Sequence, residues 1–112
     1  MTDFRGALVQ GTLDMMVLKV LSLEPMHGWG ISVRIGHYSG SAFRVNQGSL
    51  YIALERMLGR GLIKADWATT EKNRRARYYS LTRAGRKELE RAALNWTTAS
   101  RAVDLVMGRS EA

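Results

Sequence analysis

The stretch Leu62-Ile63-Lys64-Ala65-Asp66-Trp67-Ala68-Thr69-Thr70, followed by Glu71-Lys72-Asn73-Arg74-Arg75 and then Ala76-Arg77-Tyr78-Tyr79-Ser80-Leu81, decides how the chain folds. Its first part alternates Ile63, Ala65 and Trp67 with polar neighbours, and its last part puts Tyr79 and Leu81 on one face. That period of two, in segments rich in aromatic and branched residues, predicts a pair of strands. The middle block is polar and strongly charged, so it predicts the tip of a hairpin, which projects into solvent or onto a ligand.

Toward the N-terminus the rhythm changes to three and four. Asn46 can cap a helix that carries Leu50, Leu54, Met57 and Leu58 inward and ends at Gly61. Ser39, Gly40 and Ser41 form a break before it, and upstream of the break Ile31, Ile35 and Tyr38 share one face of a segment that starts at Gly28. A first helix is expected from Thr12, read as its N-cap, through Leu13, Met16, Val17, Val20 and Leu21, stopped by Glu24 and Pro25. Toward the C-terminus Thr82 can cap a long last helix reaching about Met107, with Leu81 packing back on it. The expected fold is mainly α with a small β-hairpin, in the order α-α-α-β-β-α, which outlines a winged helix-turn-helix. Residues 1–81 would form the head and residues 82–112 a C-terminal dimerisation helix.

Charge singles out one part of this outline. The formal net charge is +7, yet residues 1–55 and 92–112 each balance, while residues 56–91 hold eleven Lys or Arg against four acids. A cationic segment of this kind is the electrostatic footprint of a polyanion binder. Lys72, Arg74, Arg75 and Arg77 crowd four cations into six positions and repel one another unless an anion is present. DNA phosphates supply that anion, with salt-dependent affinity whatever the base sequence. Asn73 lies among them at the tip, and Arg77, nearer the strand, can alternatively pair with Asp66.

In a helix-turn-helix the second helix of the pair enters the major groove with its N-terminal residues toward the base edges. Here that is the third helix, whose first turn Gln47, Gly48 and Ser49 suits a phosphate at its exposed N–H groups. Gln47 can pair with an adenine edge. Tyr51 can offer its hydroxyl to a phosphate or pack half-buried beside the core.

Several blocks together resemble the PadR family: Gly11-Thr12-Leu13-Asp14, His27-Gly28, Gly48-Ser49-Leu50-Tyr51, Gly61-Leu62-Ile63, Arg77-Tyr78-Tyr79 and Leu81-Thr82-Arg83-Ala84-Gly85. The resemblance implies a winged-helix regulator, usually a repressor released from DNA by a small ligand, of the shorter subtype with one C-terminal helix. Ile52 and Gly59 depart from the family pattern without threatening the fold.

Along the last helix Leu89, Ala92, Trp96, Ala99, Val103 and Val106 follow alternating steps of three and four, the spacing of a heptad seam. A homodimer contact is expected there. Trp96 lies among small residues in the middle of the seam, so it either fills the interface or lines a pocket for a planar aromatic effector. The chain contains no cysteine, and its longest apolar run is too short to span a bilayer, so a cytoplasmic, non-membrane protein is expected. His27 and His37 lack the carboxylate spacing of a metal or catalytic site, and Gly28-Trp29-Gly30 lacks a full nucleotide fingerprint, so neither an enzyme nor a cofactor or metal is expected. The alternatives to an operator-binding regulator are an architectural DNA- or RNA-binding protein without sequence choice and a winged-helix adaptor for another protein.

Overall fold

The computed structural model describes residues 7–109. Its elements are α1 (Ala7–Leu23), β1 (Met26–His27), α2 (Gly28–Tyr38), α3 (Gln47–Gly59), β2 (Ile63–Thr69), β3 (Arg75–Leu81) and α4 (Arg83–Val106). The three strands form one antiparallel sheet in the order β1-β3-β2. Among the described residues no helix is long and apolar enough to cross a membrane.

Local hydrogen-bonding chemistry sets the helix starts. Asn46 accepts from the Ser49 N–H at 3.0 Å and opens α3. Thr82 accepts from the Gly85 N–H at 3.0 Å and opens α4, while its hydroxyl lies 2.9 Å from the Leu62 carbonyl and so ties the helix to the start of β2. His27 Nδ1 accepts from the Gly30 N–H at 2.9 Å and caps α2, and its ring meets Tyr78 edge-on at 5.2 Å. At the other end of α3, Gly61 takes φ +72°, which lets the chain turn sharply into β2.

The core lies where α1, α2 and α3 meet the base of the sheet. Val17, Leu18, Val20 and Leu21 from α1, Ile31 and Ile35 from α2, and Leu50, Ala53, Leu54 and Met57 from α3 close on Leu62, Ile63 and Tyr79. Each large aliphatic side chain buried in this way contributes about 1.5–3 kcal/mol. Arg56 on α3 adds a partly buried ion pair to Asp14 on α1, with Nη2 2.5 and 2.6 Å from the two carboxylate oxygens. Gly85 is buried in the first turn of α4, and a Cβ there would run into the Leu62 carbonyl oxygen.

The structure revises four local expectations. Thr12 does not cap α1: the helix already runs from Ala7, so Thr12 lies inside it, where its side chain is buried. A third strand, β1, lies where the sequence shows only a break, since two residues are too few to display alternation and pairing with β3 alone defines them. Tyr38 is exposed rather than inward, because α2 overhangs the core beyond Ile35; its ring leans on His37 at 5.7 Å. Arg77 does not pair with Asp66. The register sets Asp66 opposite Tyr78 and Trp67 opposite Arg77, so Asp66 and Arg77 point to opposite faces of the hairpin.

Candidate nucleic-acid interface

The hairpin outruns the core. Ile63, Ala65 and Trp67 share a face as their alternation implies, but burial fades along it: Ile63 is buried, Ala65 half-buried and Trp67 63% exposed. Beyond the core the strands end in a tight turn. The Thr70 N–H donates to the Arg74 carbonyl at 2.7 Å, the Asn73 N–H donates to the Thr70 carbonyl at 2.9 Å, and the Arg74 N–H donates to the Thr70 hydroxyl at 3.2 Å. Asn73 adopts φ +60°, a left-handed conformation that asparagine tolerates better than most residues. The turn thereby fixes the backbone from which Lys72, Arg74 and Arg75 extend into solvent.

These cations differ in what they touch. Arg75 lies over the Trp67 ring at 5.5 Å, and such stacking orders a guanidinium without neutralising it. Arg77 reaches α3, with Nη1 3.1 Å from Glu55 Oε2, and its guanidinium lies 5.8 Å from the Tyr79 ring centre. Burial pushes the Tyr79 phenol above its ordinary range, with Arg77 pulling the other way. Among the described residues Lys72, Arg74 and Arg75 form no ion pair, so the tip carries uncompensated positive charge.

On α3 the predicted reading residues lie on the exposed side. Gln47 and Ser49 are exposed in its first turn, and Tyr51 is 57% exposed one turn on. The Gln47 amide donates to the Ser32 hydroxyl of α2 at 2.6 Å, which orders a long side chain at the surface. Arg77 joins this helix face to the hairpin through Glu55. Lys72, Asn73, Arg74 and Arg75 sit farther out, at the tip.

Two residues beside these were not singled out from the sequence. Trp29, in the first turn of α2, is 67% exposed and lines an open groove of about 660 Å³ whose other wall includes Lys72, Arg74, Arg75 and Arg77. The available signal was an indole on the helix face opposite the inward stripe of Ile31 and Ile35. Glu55 carried no such signal, because its partner lies across the fold.

The predicted seam on α4 divides in two. Leu89 packs against the core and Ala92 is half-buried, whereas Trp96, Ala99, Val103 and Val106 are exposed in the single chain. The radius of gyration, 15.1 Å, exceeds the roughly 13 Å of a compact chain of this length, as a projecting helix requires. Glu88 hydrogen-bonds Arg91 on the neighbouring turn, and that contact holds its carboxyl below the usual range.

Known proteins share this arrangement. A crystallised protein from Thermoplasma acidophilum, assigned as a transcriptional regulator, is 26% identical, with a TM-score of 0.77 over 93% of this chain and 98% of its own. A PadR family transcription regulator from Clostridium difficile is 25% identical, with a TM-score of 0.71 over 85% of this chain and 97% of its own. An uncharacterised 37.1 kDa protein of a Streptomyces fradiae transposon is 40% identical over 80 residues, which are 71% of this chain but 21% of that protein. Residues 17–91 match the transcriptional regulator PadR-like family, and with this match, across the helices and hairpin described above, the chain belongs to that family.

Proposed function

We propose that the protein is a ligand-responsive repressor that binds a near-palindromic operator in double-stranded DNA as a homodimer in the cytoplasm. The observation that carries the reading is the uncompensated charge of Lys72, Arg74 and Arg75 on a rigid turn, joined to an exposed α3. In each half-site α3 occupies the major groove, with Gln47 toward a base edge and Ser49 and Tyr51 toward phosphates. Lys72, Asn73, Arg74, Arg75 and Arg77 meet the flanking backbone.

Residues 1–81 act as the reading head and residues 82–112 as the dimerisation arm. Exposure of Trp96, Val103 and Val106 on one stripe supports a second copy as their cover. Trp96, 44% exposed amid small side chains, suits a planar aromatic effector stacked at the dimer axis.

The test is competition on the promoter upstream of the gene, the natural place for a self-regulating operator. A specific regulator keeps its footprint there in excess random duplex, whereas an architectural protein is titrated away. No binding to either DNA at low salt favours the adaptor reading instead.

A further inference from the structure

Arg77 stands apart from the other wing cations because it is already engaged. Its partner Glu55 is an exposed acid on α3, one turn beyond Tyr51 on the helix proposed to face DNA. An acid at such a position repels phosphate unless it is neutralised or accepts a base-edge donor. The next residue, Arg56, about 100° further round the helix, grips Asp14 on α1 at 2.5 Å. Consecutive residues of α3 therefore bind the wing and α1, which fixes the backbone from which Glu55 reaches Arg77.

The Glu55–Arg77 pair is open to solvent, with side chains 43% and 37% exposed. Exposed pairs of this kind are weak, so a dense row of phosphates can compete for the guanidinium. From this geometry we infer that Glu55 is a specificity-determining positioning residue. It holds Arg77 against α3, so that on DNA of arbitrary sequence this cation stays with Glu55, whereas in the operator complex proposed above it is released to the flanking backbone. This rests on the regulator reading above and adds to it a restraint on indiscriminate binding.

The test compares full-length wild type, Glu55→Gln, Glu55→Asp, Arg77→Gln and the Glu55→Gln/Arg77→Gln double variant on a random-sequence duplex across a salt series. Glu55→Gln is expected to tighten binding about threefold or more near 0.1 M salt and to steepen the log–log salt slope by about 0.9, the increment of one added phosphate contact. Glu55→Asp, which keeps the charge but shortens the reach, moves the same way. With Arg77 already replaced, losing Glu55 leaves the slope where it was. An unchanged slope in Glu55→Gln, with melting curves showing a folded protein, overturns the inference. A tightening of equal size in both Arg77 backgrounds also overturns it, since Glu55 would then act by simple repulsion. Wild type that binds no duplex at low salt refutes the regulator reading itself, a result distinct from binding with an unchanged slope.

Discussion

The base and the tip of the hairpin are built from the same two strands and do opposite work. At the base Ile63, Tyr79 and Leu81 turn into the core, and Thr82 and Gly85 lock the start of α4 onto Leu62. At the tip the same face carries Trp67, Arg75 and Arg77, and the turn presents Lys72 and Arg74. Alternation continues unbroken from one to the other. What changes is whether another layer covers the strand, so one repeating pattern provides stability at one end and a charged surface at the other.

Substitutions at the two ends should therefore separate stability from binding. Ile63→Ala is expected to cost about 2–5 kcal/mol in urea unfolding, as large-to-small changes in a closed core do. Lys72→Ala should stay within about 0.5 kcal/mol of wild type. Comparable losses at both positions would mean that the tip is part of the core's support. Gly85→Ala tests the lock at the base: with the Leu62 carbonyl in the way, it should cost roughly 1–3 kcal/mol. A neutral effect would show that α4 can shift away from the sheet without penalty.

Much of this contrast was readable from the chain. The caps at Asn46 and Thr82 and the turn at Gly61 are local chemistry, visible wherever a side chain satisfies a nearby backbone group. The charge of the tip needs only a count. The partner of Arg77 was not legible, because it depends on strand register and on which helix lies over that face. The exposure of Trp67 was hidden for a related reason, since alternation reports a face but not where the core beneath it stops. β1 exists only through its pairing with β3, and the start of α1 was obscured by a threonine that looks like a cap but is buried mid-helix.

The same division runs along α4, and it supplies the next smaller effect on folding. Leu89 packs against the core, while Val103 is 54% exposed in the single chain. If α4 is the dimer contact proposed above, Val103→Lys should leave the fold of the single chain intact and shift sedimentation from dimer to monomer. A dimer that survives this change places the contact elsewhere.

The smallest expected effect on stability accompanies the most direct measurement of the central claim, that the hairpin tip is a phosphate-binding surface. Arg74→Ala/Arg75→Ala should melt within about 0.5 kcal/mol of wild type, while its affinity for the promoter fragment and for random duplex falls by similar factors. The slope of log affinity against log salt should flatten by about 0.9 for each phosphate that is no longer neutralised. A slope equal to that of wild type, or a weakening confined to one base sequence, would contradict the assignment of these arginines to the DNA backbone.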